Sequence, residues 1–302
     1  MAGMAPPRMH RDQIDTDVEL VRRLLAVQQP QFAALPIEAH ASTGTDNALY
    51  RLGDDMVVRL PLRPSAVPSL VNEQRWLPVL APKLPLPVPV PVAAGRPTAE
   101  HPWPWAIYPW LAGTDAALAP LDRERAVEDL ARFITALHAL DPAGGPPSRG
   151  AGRDRGGPLA ARDGPTRGAI DASSRLVDAG AVTAAWADAL GAAPWPHRPV
   201  WLHGDIASAN LLVRERRLCA VIDWGTLAVG DPACDLLVAW ELFDAGQRDR
   251  FRTALAVDDA TWRRARGWAL STAILALPYY EGTNAFMAAQ ARHKLASVLA
   301  DF

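Results

Sequence analysis

His203-Gly204-Asp205-Ile206-Ala207-Ser208-Ala209-Asn210, followed after a short interval by Ile222-Asp223-Trp224-Gly225, is the stretch from which the rest of the chain is read. Val200-Trp201-Leu202 enters it as a short buried strand, and Leu211-Leu212-Val213 leaves it as another. Arg214 to Arg217 makes a polar turn and Leu218 to Ile222 returns, so the pattern predicts a hairpin that carries Asn210 back beside Asp223. Two carboxylates and a carboxamide at this spacing suit phosphoryl transfer. That chemistry needs one carboxylate near the attacking hydroxyl, plus a carboxylate and an amide oxygen to hold magnesium on nucleotide phosphates. Asp205 is the candidate for the first task, and Asn210 and Asp223 for the second. A purely structural alternative stands beside this one: His203 as a buried histidine, Asp205 as a turn residue and Asp223 as a strand-end cap. For His203 taken alone, the structural role is preferred.

The two motifs, HGDIASAN and IDWG, resemble those of the aminoglycoside phosphotransferase family of small-molecule kinases, whose catalytic loop reads H-G-D-x-x-x-x-N and whose metal motif reads I-D-[WFY]-G. The resemblance extends from about residue 15 to the end. It implies an α+β, bilobal, protein-kinase-like fold with a small β-rich nucleotide-binding lobe over residues 1–110. A larger, mainly helical catalytic and substrate-binding lobe would occupy residues 111–302. It also implies ATP or GTP as cosubstrate, Mg2+, and a small-molecule hydroxyl as acceptor, with antibiotics the first class to consider.

Composition agrees with that frame. A chain of 302 residues, 49% hydrophobic and with a formal net charge of -2, suits one bilobal domain or two small ones with a full core. No basic block points to nucleic acid. No apolar run approaches the roughly 18 residues of a membrane span and the N-terminus lacks a signal-peptide core, so a cytoplasmic protein is expected. Cys219 and Cys234 fit no ligand spacing and read as packing residues.

Of the 31 basic residues only Lys83 and Lys294 are lysines. A kinase places a lysine on its third strand to hold the nucleotide phosphates, paired with a glutamate from the next helix. Here the hairpin of Asn47 to Leu52 and Met56 to Leu60, turned at Gly53-Asp54-Asp55, has Arg59 at that place. Arg59 is thus the phosphate-contacting candidate, with an exposed strand arginine as the alternative. Glu73 follows Leu70 by three residues on a helical pattern opened by Pro68, and it can point inward toward Arg59 or outward to solvent. Pro78 is expected to kink or end that helix. Ser42-Thr43-Gly44-Thr45-Asp46-Asn47 resembles a nucleotide-covering loop, with Ser42, Thr43, Gly44 and Asn47 as binding candidates. By resemblance, Tyr108 to Leu111 after the strand Trp105 to Tyr108 would be the hinge whose backbone meets the purine.

Val18, Val21, Leu24 and Leu25 predict an early helix, capped by Thr16 or Asp15 and ended by Pro30. Leu121 to Leu140 predicts the first long helix of the second lobe, with His138 as a core residue. Residues 142–168, rich in Gly, Pro and Arg, read as a long loop that either borders the substrate site or is an inert insertion. Only a short run separates Asp223 from Asp231-Pro232, too little for a platform that docks a peptide, so no protein substrate is expected. Asp231 reads as a helix cap and Asp235 as a first-turn charge. Trp240, Glu241, Asp244, Tyr279 and Glu281 are the candidate acceptor contacts, in a region whose acidic and basic side chains nearly balance. Acceptors of aminoglycoside, macrolide, nucleoside or peptide type all remain open. So do a metabolic sugar or amino alcohol kinase and a catalytically silent nucleotide-binding module. A metal-dependent phosphohydrolase built on His203 and Asp205 would need more clustered histidines than the chain has.

Overall fold

The computed structural model describes residues 13–40, 46–148 and 155–302. The chain divides into two compact units, one made of residues up to Lys83 with Pro87–Ala112, the other of Leu84–Leu86 with Gly113–Phe302.

The first unit begins with α1 (Val18–Gln28), whose cap is Asp17: its Oδ1 accepts from the Leu20 amide at 2.7 Å. This corrects the expected cap at Thr16 or Asp15. Thr16 is buried instead, accepting the Tyr50 hydroxyl at 2.9 Å. Strands β1 (Ile37–His40), β2 (Asn47–Leu52) and β3 (Met56–Pro61) follow, then helix α2 (Val67–Leu80) and strands β4 (Ala93–Gly95) and β5 (Trp105–Pro109). They form an antiparallel sheet in the order β1-β2-β3-β5-β4. Alternation along β2 and β3 puts Ala48, Tyr50, Leu52, Val58 and Leu60 into one core with the buried face of α1. Helix α2 runs through Pro78 rather than ending there. Only Val79 and Leu80 follow that proline within the helix.

The second unit opens with the short strand β6 (Thr114–Asp115) and α3 (Arg123–His138), capped by Asp122. Helices α4 (Asp163–Ala172) and α5 (Ala179–Leu190) precede the motif strands β7 (Val200–Leu202), β8 (Leu211–Arg214), β9 (Arg217–Val221) and β10 (Ala228–Gly230). The remainder is helical: α6 (Ala239–Leu242), α7 (Ala245–Leu255), α8 (Asp259–Tyr280) and α9 (Ala285–Ala300). The expected 142–168 loop is therefore shorter than its composition suggests, because α4 begins at Asp163 with Pro165 in its first turn, where no intrahelical donor is lost. Asp231 caps a 3-10 turn, Pro232–Leu236, rather than an α-helix. Helix α8 is buried along most of its length and packs on α4, α5 and α9. A β-rich unit and a mainly helical one give the α+β, protein-kinase-like architecture. Among the described residues no helix is long and apolar enough to cross a membrane.

Candidate active site

The motif loop is held by buried polar groups that its own sequence does not contain. Asp235, fully buried in the turn after β10, accepts the His203 amide through Oδ2 at 3.2 Å and the Gly204 amide through Oδ1 at 2.6 Å. Its Oδ2 also lies 3.0 Å from Nε2 of His138, at the end of α3. His203 is itself buried, against the Trp224 ring at 4.7 Å. The Asp205 amide donates to its Nδ1 at 3.2 Å, which leaves Nε2–H to donate to the Ile222 carbonyl at 3.0 Å. One imidazole tautomer thus ties the Asp205 loop to the Asp223 strand end. The geometry gives His203 a structural task.

Asn210 and Asp205 are interlocked. Asn210 Nδ2 donates to the Asp205 carbonyl at 2.9 Å and reaches Asp205 Oδ2 at 3.3 Å. With the NH2 group committed there, Oδ1 is the end of the amide left to accept. The β8/β9 ladder pairs Leu211 with Val221, and the Ile222 amide donates to the Asn210 carbonyl at 2.9 Å, so Asp223 follows directly on the residue facing Asn210. Asp223 is exposed and has φ of 60°, the left-handed region that a non-glycine residue rarely holds and that recurs at functional sites. An exposed carboxylate and an amide oxygen are the hard oxygen donors that suit magnesium beside phosphate oxygens. Among the described residues no group of three or more His, Cys, Asp or Glu side chains is placed to hold a metal ion by itself.

A third anchor holds the middle of the loop. Glu241 on α6 accepts the Ser208 amide at 2.7 Å and the Ser208 hydroxyl, while its other oxygen meets Lys294 Nζ of α9 at 2.7 Å. Burial alone would raise the Glu241 pKa. The Lys294 ammonium and the Ser208 donors outweigh it and hold the carboxyl below the usual glutamate value. Glu241, expected among the acceptor contacts, is thus pinned inside the unit with both carboxylate oxygens bound. Trp240, expected there too, has no exposed surface, stacks on Trp262 at 4.7 Å and donates Nε1–H to Asp301 at 3.1 Å. Asp244 is exposed but serves as the cap of α7 in a reciprocal pair with Gln247. Tyr279 is exposed at the end of α8, and Glu281 just beyond it pairs with Arg292.

In the first unit Arg59 on β3 and Glu73 on α2 meet. Arg59 Nη1 lies 2.8 and 2.7 Å from the two Glu73 oxygens, and Glu73 is 1% exposed. The Tyr108 hydroxyl of β5 donates to Glu73 Oε2 at 3.0 Å. Burial, then the Glu73 charge, push the Tyr108 pKa well up, so its side chain serves as a neutral donor. Asn47 completes the group once its amide is turned so that the oxygen faces the guanidinium, 3.2 Å from Nε and 3.1 Å from Nη2 of Arg59. Leu111 is half-buried just after β5. Ser42, Thr43 and Gly44 lie outside the described residues.

A family model described as the phosphotransferase enzyme family, APH, matches residues 39–268. The chain belongs to that family. As a member it is an enzyme that transfers a phosphoryl group to a hydroxyl. Solved structures match over nearly their whole length. The GDP and kanamycin complex of APH(2")-IIia is 19% identical with a TM-score of 0.68, over 93% of this chain and 98% of that one. The macrolide 2'-phosphotransferase MphH from Brachybacterium faecium is 25% identical with a TM-score of 0.61, over 93% and 98%. ADP-bound APH(2'')-Ib is 18% identical with a TM-score of 0.57, over 93% and 98%. No curated protein matches the chain.

Sequence reasoning missed Asp235, His138 and Lys294 as supports of this loop. Only the placement of a carboxylate in the turn after β10 hinted at the first. The other two reach the loop through partners far along the chain, which leave no local pattern.

Proposed function

We propose that the chain transfers the γ-phosphoryl group of ATP or GTP to a hydroxyl of an antibiotic of aminoglycoside, macrolide, nucleoside or peptide type, and so confers resistance in the cytoplasm. The observation that carries this reading is the interlock of Asp205 with Asn210, one strand pair away from the exposed Asp223. GDP, ADP and aminoglycosides are bound by solved relatives, which supports a nucleotide cosubstrate and an antibiotic acceptor. Asp205 orients the acceptor hydroxyl and accepts its proton late in the transfer. Asn210 and Asp223 are the residues that would hold Mg2+, which neutralises phosphate charge when bound. In residues 1–110, Arg59 held by Glu73 positions phosphate oxygens with Ser42, Thr43, Gly44 and Asn47, and Tyr108 to Leu111 meet the purine. Residues 111–302 carry the chemistry and the acceptor site, where Asp244, Tyr279 and Glu281 remain the exposed candidates. Catalysis then rests on positioning and charge neutralisation.

The test is a panel assay with ATP or GTP and magnesium against these antibiotic classes, with sugars and amino alcohols alongside, read by product mass. One product heavier by one phosphoryl group, absent in Asp205→Ala while nucleotide affinity stays within a few-fold, is the expected result. Phosphorylation of a sugar or amino alcohol alone would replace the antibiotic with a metabolite. Nucleotide binding without any magnesium-dependent turnover would mean a silent binding module.

A further inference from the structure

Residues 146–148 and 156, between α3 and α4, are hydrogen-bonded to β10 and to Asp231 just after it, and β10 pairs with β7, the strand that enters the motif loop. Pro147 bridges Val229 of β10 in parallel, the Ser148 amide donates to the Val229 carbonyl at 2.9 Å, and the Val229 amide donates to Pro146 at 2.7 Å. Past residues 149–154, the Asp231 amide donates to the Gly156 carbonyl at 2.7 Å, and the Ser148 hydroxyl donates to the Arg155 carbonyl. Missing side chains permit this contact. A Cβ on Gly230 would sit 2.3 Å from the Gly156 carbonyl oxygen, and one on Gly204 would sit 2.8 Å from the Thr226 carbonyl and 3.0 Å from the Arg155 Cβ. The docking carries Arg155, whose side chain is only 17% exposed, to within 4.0 Å of Asp205, Nη2 facing Oδ1. The other oxygen, Oδ2, faces Asn210. Asp205 Oδ2 therefore has a hydrogen-bond donor from the motif, and Oδ1 a guanidinium at ion-pair distance, beyond hydrogen-bond length.

We infer that Arg155 is a positioning residue for phosphoryl transfer, its guanidinium charge drawing Oδ1 of the Asp205 carboxylate to one side while Asn210 hydrogen-bonds Oδ2. This rests on the role proposed for Asp205. It makes Arg155, a described residue of the Gly, Pro and Arg-rich stretch, a working part of the active site. A carboxylate free to rotate spends less time aligned with the hydroxyl it must orient, and small misplacements of reacting groups cost large factors in rate. Removing a charge set for an orienting task lowers kcat with little change in nucleotide KM.

The experiment compares full-length wild type, Arg155→Ala and Arg155→Lys with ATP or GTP and magnesium, using whichever acceptor turns over in the panel and water when none does. Arg155→Ala is expected to lose on the order of 10- to 100-fold in kcat with nucleotide KM within about threefold. Arg155→Lys should retain more activity than the alanine variant, and guanidinium chloride far below denaturing concentrations should restore part of the loss in Arg155→Ala. An active wild type with an unchanged Arg155→Ala overturns the inference. So does a variant whose kcat, nucleotide affinity and melting temperature fall together and that guanidinium does not rescue, since that marks a structural arginine. A wild type without any magnesium-dependent turnover sinks the functional reading, and the inference with it.

Discussion

Two largely buried ion pairs, one in each unit, support the candidate site among the described residues, and they use different cations. In the β-rich unit the cation is Arg59, 14% exposed, with both Glu73 oxygens on Nη1. In the helical unit it is Lys294, 12% exposed, with a single Glu241 oxygen at 2.7 Å. The chain has 31 basic residues and only two lysines, so arginine is its default cation. Arginine at 59 therefore follows the default, although nucleotide kinases use lysine there. Lysine at 294 departs from it. The difference is geometric. Arg59 has a planar fork and neighbours on several sides, Glu73, Asn47 and the Tyr108 ring 6.0 Å from its carbon. Lys294 has to end in a compact charge between α9 and α6, at an oxygen whose partner oxygen is already taken by Ser208.

Removing one partner of a buried pair leaves the other charge uncompensated, and the first unit should show the larger effect. Glu73→Ala removes the carboxylate partner of Arg59 and the acceptor of the Tyr108 hydroxyl. It is expected to destabilise by about 3–5 kcal/mol in urea unfolding and to lower nucleotide affinity. If instead stability falls while nucleotide affinity is untouched, Arg59 is not held for phosphates.

Lys294→Met should cost somewhat less, about 3 kcal/mol at neutral pH, since Ser208 still donates to Glu241. Its pH dependence is the sharper test. In wild type the Glu241 pKa lies below its ordinary value, so its stabilisation is present above the usual glutamate range and is lost as pH falls through the depressed folded value. Without Lys294 the upward push of burial dominates. The folded state then favours the protonated acid, and the variant loses stability as pH rises through the glutamate range. Melting temperatures of the two proteins should converge toward pH 4 and diverge toward pH 7. Parallel curves would mean that Lys294 does not set the Glu241 charge.

These contrasts also mark what the sequence could tell. The β8/β9 hairpin and the β2/β3 hairpin were legible because apolar runs flank short polar turns, and Glu73 because it shares a helix face with Leu70. Helix α4 was hidden by Gly164 and Pro165, residues that signal a loop unless they fall in a first turn. The cap of α1 went to Asp17 because Thr16 was drawn inward by Tyr50, a partner on another element. Trp240 and Glu241 looked available because α6 is a single short turn, too brief for periodicity to show which side faces in. Asp235 and Arg155 act on the motif loop across sequence separations that no local pattern records.

Exchanging the cations gives the two smaller effects. Lys294→Arg forces a longer planar head into a packed position and should cost about 1–3 kcal/mol by overpacking, with loss of activity if Ser208 and its loop shift. Arg59→Lys is milder for the fold. The ammonium keeps an attraction to Glu73 and gives up the fork that spans Glu73 and Asn47, a loss of about 1 kcal/mol. Its functional outcome separates two accounts of why arginine stands there. A shorter, point-like cation should sit deeper toward Glu73 and further from phosphate, so if β3 and α2 are spaced for arginine, nucleotide KM rises several-fold while the fold persists. If nucleotide KM is unchanged or falls, lysine satisfies the same site. Arg59 then reflects only the chain's preference for arginine, and Lys294 alone marks a position where the choice of cation is set by shape.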